Sequence, residues 1–107
     1  MSRVAVVALF LSLCALPALA EGSPIAIALR ANQFSPAEVV VPAGVKVELV
    51  IRNEQTTPAE FESTSLHREK VVPPGGQISV FIGPLQPGRF EFFDDFHPAT
   101  RGFIVAQ

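Results

Sequence analysis

The chain has 107 residues, a length that fits one domain. Its net charge of −2 comes without any basic stripe, which excludes nucleic acid as an expected partner. Trp and Tyr are absent, and Cys and Met occur once each, at Cys14 and Met1.

Met1 to Ala20 carries one positive residue (Arg3), an apolar run from Val4 to Leu16, and a small-residue end at Ala18-Leu19-Ala20. This is the pattern of a secretory signal peptide. The run is too short and wrongly flanked for a membrane span, so no stable membrane insertion is expected after cleavage. Removing 20 of the 107 residues leaves 87, Glu21 to Gln107, as a single domain. Cys14 and Met1 leave with the leader. That excludes a disulfide framework, a thiolate nucleophile, a Cys-based zinc or iron–sulfur site and c-type haem attachment. Eighty-seven residues is near the lower limit for a core without staples, so packing, with or without a metal, must stabilise the fold.

In chain order, Ile25 to Leu29 alternates apolar and small residues, and Glu38 to Val41 is a short β-branched run. Val45 to Arg52 is the clearest segment: Val45, Val47, Leu49 and Ile51 alternate with Lys46, Glu48, Val50 and Arg52, the period of a half-buried strand. Ala59 to Val72 is the longest stretch free of Pro and Gly, and predicts a strand followed by a loop or one helical turn around Ser63 to Arg68. Gln77 to Ile82 places Ile78, Val80 and Ile82 on one face. Arg89 to Phe93 sets Phe90 and Phe92 opposite Arg89, Glu91 and Phe93, and Gly102 to Ala106 sets Phe103 and Val105 together. Turn chemistry separates the runs at Pro42-Ala43-Gly44, at Pro73-Pro74-Gly75-Gly76, and from Gly83-Pro84 to Pro87-Gly88. The prediction is an all-β sandwich or barrel. The serines lack a His–acid pattern, and no phosphate-cradling glycine loop occurs, which disfavours nucleophilic hydrolysis.

Two sets of residues carry a family resemblance. One is Asn32-Gln33-Phe34-Ser35-Pro36, Val39 to Gly44 and Val47 to Asn53. The other is Leu85 to Phe92, the short loop after it, and Gly102-Phe103-Ile104-Val105. Together they resemble a cupredoxin over essentially the whole mature chain. Phe61-Glu62-Ser63, Arg68-Glu69-Lys70-Val71 and Phe92-Phe93-Asp94-Asp95-Phe96-His97-Pro98 are similar to the periplasmic cupredoxin-like components of bacterial iron-uptake systems that work with a high-affinity iron permease. The resemblance implies a Greek-key β-sandwich of about seven to eight short strands and a periplasmic location. It also implies an iron permease, or that permease's periplasmic partner protein, as the interaction partner.

A blue-copper site needs two His and a Cys thiolate, usually with a weak axial Met. The family's Cys-x-x-His loop is here Asp94-Asp95-Phe96-His97. Asp94 stands where the Cys would, His97 keeps the second imidazole, and the region of the first His holds only Glu60 and Glu62. No blue-copper centre is expected. What remains is oxygen-rich. Glu60 and Glu62 are two apart, so an extended chain puts both on one face and Phe61 on the other. If the fold is a cupredoxin, this strand end lies beside the Asp94–His97 loop, and carboxylates and one imidazole converge. Carboxylates favour hard ions, and imidazole extends the range to iron, copper and zinc.

The expected metal ligands are therefore His97, Asp94, Glu62, Glu60 and Asp95, with His67 and Glu69 as a lesser pair for an upper rim or a second site. Each has a plainer alternative. Glu60 and Glu62 also suit the solvated face of an edge strand, Asp94-Asp95 ordinary turn chemistry, and His67 a surface loop. The Phe90, Phe92, Phe93, Phe96 and Phe103 cluster reads mostly as core. Three functions follow: a protein binding a copper or iron ion in support of iron uptake, which is favoured; a ferroxidase needing copper and a partner; and a metal-free interaction domain.

Overall fold

The computed structural model describes residues 22–107, so the expected signal peptide at 1–20 lies outside the described residues. Nine strands occupy the described range, without a helix: β1 (Ile25–Arg30), β2 (Gln33–Ser35), β3 (Glu38–Val41), β4 (Val47–Asn53), β5 (Ala59–Ser63), β6 (Arg68–Val72), β7 (Gln77–Ile82), β8 (Gly88–Asp94) and β9 (His97–Ala106). They form a four-stranded sheet in the order β2-β1-β4-β7 and a five-stranded sheet in the order β3-β9-β8-β5-β6. Both sheets are mixed, because β1 runs parallel to β4 and β3 parallel to β9. The chain crosses repeatedly between the sheets, as the expected Greek-key sandwich requires.

Alternation explains which face each strand buries. β4 buries Val47, Leu49, Ile51 and Asn53 and leaves Glu48, Val50 and Arg52 more exposed. Ile27 and Leu29 of β1 and Ile78, Val80 and Ile82 of β7 complete the inner face of that sheet. Val39, Val41, Phe61, Val72, Phe92 and Ile104 face them from the other. Phe92 is the hub: its ring lies edge-on to Phe34 at 4.9 Å and stacks on Phe61 at 5.3 Å. Gly102 sits directly against it. A Cβ there would lie 2.3 Å from the Phe92 ring and 2.7 Å from the Ala37 carbonyl oxygen, so the close approach of β9 to β8 requires glycine.

Asn53 is a buried polar residue in this core. Its side-chain amide donates to the Thr57 carbonyl at 2.8 Å and the Val72 carbonyl at 3.2 Å, and its oxygen accepts the Gln55 N–H at 3.0 Å. It thereby ties the end of β4 to β6 and shapes the loop that delivers β5.

The structure differs from expectation in four places. Of the two readings of Ser63 to Arg68, the loop holds and the helical turn does not, but the loop is shorter than expected. Ser63 and Arg68 pair across a hairpin, and only Thr64 to His67 lie between them. The Ser63 hydroxyl accepts the Leu66 N–H, and His67 takes φ 54° to close the turn. β6 is thus an added strand. β2 is also added, at three residues too short to show a period. β9 starts at His97 rather than Gly102. Of the five grouped phenylalanines only Phe92 is fully buried. Phe93 and Phe103 lie on the outer face under the Arg101 and Arg89 guanidinium groups, at 5.1 and 4.5 Å, and Phe96 is exposed at a turn.

Candidate metal centre

The alternation of β5 sends Ala59, Phe61 and Ser63 inward and Glu60 and Glu62 outward. Pairing with β6 sets Glu62 opposite Glu69 and Glu60 opposite Val71. On the other side, Glu62 is opposite Phe93 of β8. β8 and β9 are joined by a two-residue turn, Asp95-Phe96, because Asp94 pairs with His97. That turn lies over the start of β5, where the Asp95 N–H donates to the Glu60 carbonyl at 2.9 Å. The result is a carboxylate group on the outer face of the five-stranded sheet. One ligand oxygen from each of Glu60, Glu62 and Asp95 lies within 4.8 Å of the others.

Such crowding has an electrostatic consequence. The Glu60 carboxyl is pushed up from its ordinary 4.5 to about 7. The largest cause is a hydrogen bond with the Glu69 carboxyl, followed by partial burial and by the negative charges of Glu69, Asp95 and Glu62. Glu62 is also raised, first by partial burial and then by Asp95 and Glu69. Near neutral pH the group therefore shares a proton that a cation can displace.

Asp94 is placed differently. It is fully buried and faces inward with Phe61, its pairing partner. Its Oδ1 accepts the Glu60 and Phe96 N–H groups, both at 3.0 Å, and its Oδ2 lies 3.3 Å from His97 Nδ1. The Phe96 contact is an Asx turn that shapes the Asp95-Phe96 corner. His97 stands at the hairpin with its side chain about half exposed, and the convergent group does not include it. His67 lies in the β5–β6 turn, exposed, on a shallow groove of about 260 Å³ shared with Glu62, Arg68 and Glu69.

Of the residues singled out in the sequence, the fold brings Glu60, Glu62 and Asp95 together with Glu69 alongside. It sets Asp94 and His97 beneath and beside them. The Glu62–Glu69 pairing was not legible in the sequence, because it depends on β6 being a strand. Alternation of Glu69 with Arg68 and Lys70, followed by Val71-Val72, was the available signal.

The model of the cupredoxin-like domain family matches residues 3–106. A Rickettsia prowazekii protein described as uncharacterized protein RP394 is 44% identical over 82 residues, covering 76% of this chain and 66% of that protein. Among solved structures, the chain resembles a purple cupredoxin from Nitrosopumilus maritimus with a TM-score of 0.64 and 17% identity, over 78% of this chain and 99% of that one. It also resembles the metal-binding domain of a Streptococcus pneumoniae Cu(I)-exporting P-type ATPase, solved with Cu(I), with a TM-score of 0.69 and 15% identity over 78% and 84%. Amicyanin from Paracoccus versutus gives 0.64 and 15% over 81% and 84%. At these identities the structural likenesses speak to the fold, and the nine-strand sandwich agrees with them. The chain belongs to the cupredoxin-like domain family.

Proposed function

We propose that this chain is a periplasmic metal-binding protein that holds iron or copper through carboxylates, without a blue-copper centre, in support of iron uptake. The observation that carries the reading is the convergence of Glu60, Glu62 and Asp95 with Glu69 beside them. Four acidic groups so close repel one another, and a cation removes that cost.

Copper is what the description of the ATPase metal-binding domain names, so its fit matters. Residues 22–107 contain no Cys or Met, and Ala59 and Asp94 stand at the start of β5 and the end of β8. A thiolate–copper centre does not fit these residues. A carboxylate centre does: such oxygens suit hard and borderline divalent ions, and Cu(II) binds most tightly of the common ones in vitro. Glu60, Glu62 and Asp95 would hold the ion, with Glu69 as a fourth oxygen donor, and neither ring nitrogen of His97 belongs to that group. The bound ion would supply the positive charge that Glu60 otherwise takes from a proton near neutral pH. Export rests on the leader pattern at 1–20. The iron permease, or its periplasmic partner protein, as partner rests on the resemblance at Phe61-Glu62-Ser63, Arg68 to Val71 and Phe92 to Pro98.

The test is a Cu(II) titration of the purified, metal-free mature chain, followed by electron paramagnetic resonance, with Glu62→Gln and His97→Ala run beside it. The expected result is one saturable equivalent with oxygen-type parameters, no intense visible charge-transfer band, and at least tenfold weaker binding in Glu62→Gln. Unsaturable binding, or binding that Glu62→Gln leaves unchanged, would move the reading to a metal-free interaction domain. Slower growth of a deletion strain on limiting iron, relieved by added iron, tests the uptake role.

A further inference from the structure

We infer that Asp94 is a positioning residue, which fixes Glu60 and Asp95 in place for the ion without binding it; the inference rests on the carboxylate reading above. The geometry begins with where the β5–β8 ladder stops. The two strands pair only at Phe61 with Asp94 and Glu62 with Phe93. Glu60 lies one residue beyond, where strand β8 offers no further backbone partner. The Asp94 side chain takes over there. Its Oδ1 receives the Glu60 N–H at 3.0 Å, while the Asp95 N–H reaches back to the Glu60 carbonyl at 2.9 Å. Both backbone groups of Glu60 on this side are thus bound by consecutive residues of the hairpin.

The same Oδ1 holds the other partner. By accepting the Phe96 N–H at 3.0 Å it closes the turn on which Asp95 stands. One buried oxygen therefore sets the backbone under two of the three convergent carboxylates. The second oxygen lies 3.3 Å from His97 Nδ1, and the whole side chain is buried. Its burial makes the arrangement stiff, because no water can replace an accepted N–H. Asp94 also faces the core, on the opposite side of the sheet from Glu60 and Glu62. A ligand role would need the side chain to leave both N–H groups and cross the strand.

The decisive variant is Asp94→Asn. An amide oxygen of the same shape accepts both N–H groups, and its NH2 can donate to His97 Nδ1 when the imidazole proton sits on Nε2. As a positioning residue, Asn costs less Cu(II) affinity than Glu62→Gln does, because it keeps both N–H groups bound and the ion loses no ligand. As a ligand, Asn would lose affinity at least as far as Glu62→Gln does, and that result would overturn the inference. Amide hydrogen exchange of the metal-free protein supplies a readout independent of any ion. Exchange at Glu60 and Phe96 stays slow in Asp94→Asn and becomes at least tenfold faster in Asp94→Ala. Fast exchange at both amides in Asp94→Asn would overturn the clamp, and if Asp94→Ala fails to fold, the Asn variant alone decides. Failure of the wild type to bind Cu(II) would end the metal reading, while the exchange data would still decide the clamp.

Discussion

Lowering the pH from 8 to 6 is expected to weaken cation binding about tenfold. The magnitude follows from Glu60, whose carboxyl titrates at about 7. Its ionised fraction is about 0.9 at pH 8 and about 0.1 at pH 6, and an ion that needs the carboxylate must displace the proton in proportion. Glu62, also raised, adds to the slope. Calorimetric titration in two buffers of different ionisation enthalpy reads the protons directly: about one released per ion at pH 6, and close to none at pH 8. Glu69→Gln removes the largest cause of the Glu60 shift and should lower the proton count at pH 6. Metal-free stability follows with a worked sign. The folded state keeps the Glu60 proton up to about 7, whereas the unfolded chain loses it near 4.5, so the folded state binds more protons between these values. Stability therefore falls as pH rises through that window, and a bound cation reverses the trend. Equal affinity at pH 6 and 8 with no proton release would refute the electrostatic reasoning.

Gly102→Ala should destabilise by about 1–3 kcal/mol in urea unfolding, because its methyl meets the Phe92 ring in a core with no room to move. Asn53→Ala should cost about 1–3 kcal/mol by leaving the buried Val72 carbonyl and Gln55 N–H without their partner. Arg68 and Lys70 of edge strand β6 donate to the Phe81 and Ser79 carbonyls of edge strand β7, covering groups that would otherwise recruit another strand. The double variant Arg68→Ala with Lys70→Ala should show a larger mean mass in light scattering than the wild type at the same concentration, and an equal mass would refute the edge-protection argument.

Much of the fold was legible because the period of two survives wherever one face is buried. Val47, Leu49 and Ile51 announced β4, and Ile78, Val80 and Ile82 announced β7. β6 was hidden because its burial pattern is exposed until Val72; as an edge strand it carries charges where a central strand would carry apolar residues. Phe93 and Phe103 misled as residue types, although alternation had already set Phe93 with Arg89 and Glu91 opposite Phe92; arginine side chains cover both rings on the outer face. At the site, the acidic residues were visible as residue types. Their grouping was not, since it depends on which side of the sheet each one faces. Asp94 and Asp95 are neighbours in sequence, yet one enters the core and the other joins Glu60 and Glu62 outside.

The central claim, that Glu60, Glu62 and Asp95 hold one ion, is tested most directly by anomalous diffraction from crystals of the Cu(II)-loaded mature chain. The account predicts a single strong peak on the outer face of the five-stranded sheet, within about 2.5 Å of an oxygen of each of the three carboxylates. A peak between Asp94 and His97, or none at the carboxylates in crystals whose protein binds one equivalent in solution, would contradict it.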